Sequence, residues 1–163
     1  MSLPLMVRVP IWTAVAIGLV ACLVAGENRR RLWTLGGLFY FVHVWAVFDR
    51  IHGWSEVRAL AHTAEMTAVV TGWSSNFGLY VNYAFTLAWL GIVTVLWMRP
   101  KLYSGGLRWT WEGWFLFMAF NGAIVFVLNP LRWLGIGLFV AFGIGVAIRA
   151  TLKKTAQASL DTV

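Results

Sequence analysis

The chain has 163 residues, of which 60% are hydrophobic, 16% aromatic and only 12% charged, and a soluble domain of that length has no core large enough to hide so much apolar surface. This composition excludes an ordinary soluble enzyme or binding module and specifies an all-α integral membrane protein. The formal charge of +7 would suggest nucleic acid in a soluble chain, but here the basic residues sit at the ends of apolar runs, as topology signals and anionic-lipid contacts do, so no nucleic-acid partner is expected.

A hydrocarbon core about 30 Å thick needs roughly 20 apolar helical residues. Five segments approach that length, at about 10–26, 33–50, 79–98, 112–128 and 131–149, and an amphipathic interfacial helix is expected at about 54–72. They make a five-helix transmembrane bundle. With no polar linker, low-complexity tract or internal repeat, residues 1–163 read as a single transmembrane domain.

In the first span Ala14, Gly18 and Cys22 repeat small side chains every fourth residue, a packing seam that lets helix backbones approach closely. The stretch Leu19, Val20, Ala21, Cys22 loosely resembles a lipoprotein cleavage box, but the apolar run continues past Cys22 and ends in Arg29, Arg30 and Arg31, as a retained helix does. Cys22 is the sole cysteine, so no intrachain disulfide can form. In the second span Gly36, Tyr40, His43, Val47 and Arg50 recur at steps of four, three, four and three along one face.

From 54 to 72, Arg58, His62 and Glu65 share a stripe with Ser55 and Val69, opposite Val57, Leu60, Ala61, Ala64 and Ala68. An ion pair between Arg58 and Glu65 is expected on that stripe. Reading this segment as a sixth span would put four polar or charged groups in lipid and export the arginine triplet, so five spans are preferred. Asn82 and Thr86 share a face of the next span, and Asn121 sits beside Gly122 in the one after; such groups are expected to hold helices together. Asn129 and Pro130 mark a tight turn joining the last two spans as a hairpin. Gly137, Ala141 and Gly145 form a second small-residue stripe, read as helix packing.

Trp33, Trp97, Trp109, Trp111 and Trp114 are expected at one interface, and Trp12, Trp54, Trp73, Tyr80, Tyr83 and Trp133 at the other, as aromatic belts. With the N-terminus outside, Arg29, Arg30, Arg31, Arg99, Lys101, Arg108, Arg149, Lys153 and Lys154 are cytoplasmic, against Arg8, Arg50, Arg58 and Arg132 outside. The excess follows the positive-inside rule and suits a bacterial inner membrane.

All three histidines, His43, His52 and His62, fall in one stretch with Asp49, Arg50, Glu56 and Arg58, and Glu65 follows. Ionisable groups near hydrocarbon usually face a cavity or a protein interior, so this cluster is the place to look for chemistry. His43, Tyr40, Arg50, Arg58, His62 and Glu65 are the ligand-binding candidates; His43, His52, His62, Asp49, Glu56 and Glu65 are the metal candidates. Gly53 is a plausible turn that would bring His43 and His62 to one level, where two imidazoles could ligate haem iron with Arg50 and Arg58 on its propionates, or bind a transition metal with the acids. No His-Glu-x-x-His or Cys-x-x-Cys-His motif accompanies them. The bland alternatives are a solvated helix face and a structural His43.

Three functional classes follow. First is a non-catalytic binding or accessory subunit with a metal, haem, quinone or lipid at the outer boundary, in a homo-oligomer or larger membrane complex. An oligomeric transporter or channel for small solutes or protons is second. A membrane enzyme using His43 with a carboxylate ranks last, because no nucleophile elbow or phosphate loop is present.

Overall fold

The computed structural model describes residues 5–160, which are helical apart from short connections. Residues 1–4 and 161–163 of the expected single domain lie outside the described residues. Helices α1 (Leu5–Leu23) and α2 (Gly26–Val47) form an antiparallel pair; α2 runs on through a π-helical turn (Phe48–His52), and α3 (Glu56–Thr71) follows. Then come α4 (Phe77–Met98), a 3-10 turn (Pro100–Leu102), α5 (Gly105–Phe120) with its own π-helical turn (Asn121–Val125), and α6 (Arg132–Leu160).

Four of these helices are long and apolar enough to cross a membrane: Leu5–Leu23, Gly26–His52, Phe77–Met98 and Arg132–Ala158. The fourth expected span is represented by α5, which at 16 residues falls short of a crossing by itself.

Boundaries shift where local chemistry differs from hydropathy. Helix α1 begins before Pro10, which lies inside it. The arginine triplet, which falls between the expected spans, forms the first turns of α2, where Glu27 pairs with Arg31 at 2.6 Å and with Arg30 at 3.7 Å. The reversal between α1 and α2 needs only Val24 and Ala25, closed by Gly26 at a φ of +63° that favours glycine.

The core is aromatic. Trp33 is fully buried, with Trp89, Trp111 and Phe115 packed edge-to-face around it at centroid distances of 5.7, 5.3 and 4.9 Å. Trp33 and Trp111 were expected in an interfacial belt and instead build this centre. The rings of Trp89 and Phe115 lie on glycines: a Cβ on Gly37 would stand 2.9 Å from the Trp89 indole nitrogen, and one on Gly18 would strike the Phe115 ring. The Trp89 N–H donates to the Trp33 carbonyl at 3.0 Å, which fixes α4 against α2. The seam of Ala14, Gly18 and Cys22 is buried along its length.

The second small-residue stripe is divided within the chain. Gly137 and Ala141 are exposed, and of the three residues only Gly145 packs, with its Cβ position 2.7 Å from Leu23. The inward side of α6 carries Leu138 and Phe142, whose bulk fills the space that close backbone approach would need. Accordingly, 44% of the apolar window of α1 is buried and only 6% of that of α6, so α1 is central and α6 peripheral. Asn129 closes the turn before α6, its side-chain oxygen accepting from the Leu131 N–H at 2.9 Å.

Candidate functional site

Helix α3 lies over the start of α4 and leaves Arg58, His62, Glu65 and Val69 of the expected stripe exposed. On its other side Ala59 is buried and Leu60, Thr63, Ala64, Met66, Thr67 and Ala68 are half-buried, so the packed face takes in three of the five apolar positions expected there and extends to the threonines, while Val57 and Ala61 are exposed. Thr63, Thr67 and Thr71 each send the hydroxyl proton to the carbonyl four residues back, at 2.8 Å, so their polarity is satisfied inside the helix and the stripe can pack. Gly53 is the turn, left-handed at φ 54°, and Trp54 follows at φ 57°. Arg58 reaches back to the Gly53 carbonyl at 3.5 Å, and Ser55 caps α3. Among the described residues there is no ion pair between Arg58 and Glu65.

Beneath α3 opens a cavity of about 740 Å³, walled by α1, α2, α3, α4 and the π-helical end of α5. All three histidines line it. Along α4 its wall runs from Leu79 through Asn82, Tyr83 and Thr86 to Trp89, a depth of about 15 Å at the helical rise per residue. Most of the lining is apolar, Phe85, Phe115, Met118 and Val44 among it, and the polar groups are few and specific.

His43 hydrogen-bonds the Val7 carbonyl through Nδ1 at 2.8 Å. A carbonyl only accepts, so Nδ1 carries the proton and Nε2 of the neutral ring is the acceptor. One turn away, Tyr40 is stacked on Trp89 at 5.0 Å and bonds Thr86 Oγ1 at 2.9 Å. Thr86 gives its own proton to the Asn82 carbonyl, so Tyr40 is the donor to Thr86.

His62 has its ring 5.5 Å from His52, not paired with His43 as the position of Gly53 suggested. In an ideal helix a residue nine places after His43 would point to the opposite side. The wider π-helical turn rotates His52 back toward the cavity, where it is 5% exposed and set edge-on to Phe48.

Of the remaining candidates, Asp49 and Arg50 pair with each other at 2.9 Å, and Glu56, Arg58 and Glu65 are exposed; none of these five lines the cavity. The metal candidates are thus split, three imidazoles in the wall and three carboxylates outside it. Among the described residues no three His, Cys, Asp or Glu side chains gather as a metal-holding set.

Sequence reasoning missed two features. Arg8, counted only for topology, lines the cavity, and its Nε is buried without a hydrogen-bond partner. A buried cationic donor without an acceptor is uncommon and invites one from a ligand. The second lies at the opposite end, where Glu112, 4% exposed, accepts from Arg108 Nε at 2.8 Å and from the Tyr103 hydroxyl at 3.4 Å. Burial, and secondarily the Glu112 charge, hold the Tyr103 phenol well above its ordinary pKa. The signal was present: Glu112 is the one acidic residue between 66 and 160, four places after Arg108.

Among the described residues the fold is therefore an all-helical bundle with four helices long and apolar enough to cross a membrane, and it carries a mostly apolar cavity of about 740 Å³ lined by imidazoles. Compared with family models, with curated proteins and with solved structures, the chain matches none.

Proposed function

We propose that this is a polytopic inner-membrane protein that holds one amphipathic, membrane-derived molecule in the cavity beneath α3, as a non-catalytic binding or accessory subunit. On this reading α5 reaches the length of a fifth span only together with its π-helical turn, over residues 105–125. Helix α3 lies in the outer interface, and the N-terminus is outside. The arginines at the α1–α2 reversal then fall on the cytoplasmic side with Arg99, Lys101 and Arg149.

The observation that carries the reading is the convergence of His43, His52, His62 and the unpaired Arg8 Nε on one mostly apolar cavity of about 740 Å³. Small-molecule sites are typically about 300 to 1,000 Å³, apolar with a few fixed polar groups. The polar lining offers a cation, a ring nitrogen that accepts and further imidazoles, which suits a ligand with a carbonyl, carboxylate or phosphate oxygen on a hydrocarbon body, the chemistry of a quinone or a lipid. The carboxylates stand outside the wall, which leaves His43 without the acid partner an enzymatic reading needs.

The test is the purified protein, examined by optical spectrum, metal content and mass spectrometry of extracted small molecules. A co-purifying lipid-soluble molecule is expected, with retention falling about tenfold in Arg8→Gln, the worth of a charge-assisted hydrogen bond. A Soret band or a stoichiometric metal would replace the lipid-like ligand with haem or an ion. Full retention in both Arg8→Gln and His43→Ala would remove the cavity as the binding place.

A further inference from the structure

At the end of the molecule opposite the histidines, a smaller cavity of about 260 Å³ lies between the start of α2 and the α4–α5 connection. Its walls are Gly26, Glu27, Arg29, Arg30, Leu96, Pro100 and Tyr103. Two consecutive arginines share this wall, and each is held in place. Arg29 is nine-tenths buried, with Nε donating to the Val24 carbonyl at 2.8 Å, which leaves the two terminal nitrogens of its guanidinium as further donors. Arg30 lies over the Trp97 ring at 4.1 Å, and its Nε is buried without a hydrogen-bond partner. Trp97 is in turn fixed by its N–H bond to Thr34 Oγ1 at 2.9 Å.

The acids nearby leave this pair largely unneutralised. Glu27 lies in the wall but turns to Arg31 at 2.6 Å, reaching Arg30 only at 3.7 Å. Glu112 is occupied by Arg108 and Tyr103. Helix α2 begins at the cavity with Ala25 as its N-cap, which offers no side-chain acceptor, so the first-turn N–H groups add to the positive field.

We propose that Arg29 and Arg30 form a binding site for a phosphate group, of the kind carried by an anionic phospholipid. Planar guanidinium forks suit phosphate oxygens, and the cavity is large enough for a phosphate-bearing headgroup but too small for a whole lipid. Leu96 and Pro100 make the apolar side of the wall, and Trp97 and Met98 beside it are exposed, so acyl chains have a surface to follow along the end of α4. This site is separate from the histidine-lined cavity and stands whether or not that cavity binds a ligand.

The experiment uses the full-length protein in nanodiscs of phosphatidylcholine, with and without phosphatidylglycerol, and reads lipid retained after detergent exchange by native mass spectrometry. Wild type is expected to retain phosphatidylglycerol over phosphatidylcholine, and Arg30→Gln to lose about fivefold of that preference. Arg30→Lys, which keeps the charge and loses the fork, should fall between and serves if Arg30→Gln does not fold. The neutralised pair Lys153→Gln with Lys154→Gln, outside the cavity, should change retention little. Inorganic phosphate that displaces the lipid from wild type would identify free phosphate as a second occupant of the same site and supports it. Equal retention of the two lipids by wild type, or a loss in the lysine pair as large as in Arg30→Gln, overturns the proposal in favour of no site or of diffuse surface charge.

Discussion

At the arginine end of the bundle a buried acid is neutralised within the chain, whereas at the histidine end the buried polar groups face a cavity the chain leaves open. Glu112 is enclosed by Arg108 and Tyr103, while His52, His43 and Arg8 Nε look onto about 740 Å³ of mostly apolar space. A closed ion pair contributes to the fold and its removal shows as lost stability. An open polar wall contributes little to the fold and its removal shows as lost binding. The two ends are therefore separable by experiment.

The largest effect is expected from Glu112→Gln. It leaves Arg108 without its anion, and breaking a buried pair is strongly destabilising, although Arg108 is a quarter exposed and water offsets part of the loss. A drop of about 2 to 3 kcal/mol in detergent unfolding is expected. The pH profile should change with it. Tyr103 has a raised folded-state pKa, so its contribution is fully present below the unfolded phenol pKa of about 10 and is lost as pH rises beyond it. Without the Glu112 charge that alkaline loss should become shallower. Unchanged stability and an unchanged alkaline limb would mean that the two ends do not differ in this way.

At the histidine end the matching change is smaller. Tyr40→Phe removes the donor to Thr86 but keeps the ring stacked on Trp89, and Thr86 retains its bond to the Asn82 carbonyl. About 0.5 to 1.5 kcal/mol is expected, the ordinary net worth of one hydrogen bond. A loss equal to that of Glu112→Gln would show that the cavity wall is as much a part of the fold as the closed pair.

How much of this was legible in the sequence depended on whether hydropathy and orientation agreed. The histidine cluster was legible because charge is rare in the chain, and the shared face of Tyr40, His43 and Val47 followed from helical spacing. Arg50 continued that spacing on paper but left the face, because the helix widens from Phe48 onward and Asp49 sits beside it as a partner. The apolar part of the inner face of α3, Leu60, Ala64 and Ala68, was legible, but its threonine part was hidden because threonine counts as polar wherever its hydroxyl goes, and here it goes back into the helix. Arg8 Nε had no signature at all, since only the fold buries it. Four of the five expected spans coincide with long apolar helices, and the fourth in chain order, already short as an apolar run, is carried by the 16-residue α5, which passes into its π-helical turn at Asn121.

The smallest expected effect tests where the bundle ends. Helix α6 is tied to the arginine end by Arg149, whose guanidinium donates to the Leu23 carbonyl at 2.7 Å, and by Gly145, whose Cβ position is 2.7 Å from a Leu23 methyl. Gly145→Leu must displace that methyl and should destabilise by about 1 kcal/mol, the lower end for overpacking because a flexible side chain can move. Ala141→Leu lies one turn away on the same stripe but faces outward, and it should stay within about 0.5 kcal/mol of wild type, as substitutions at exposed positions do. The comparison is decisive because the stripe is continuous in sequence and divided only by packing. If Ala141→Leu lowered the melting temperature as much as Gly145→Leu, or shifted the oligomeric state in detergent, a helix from a second copy would have to cover the outward face of α6, and the arginine end would be an interface and not an edge.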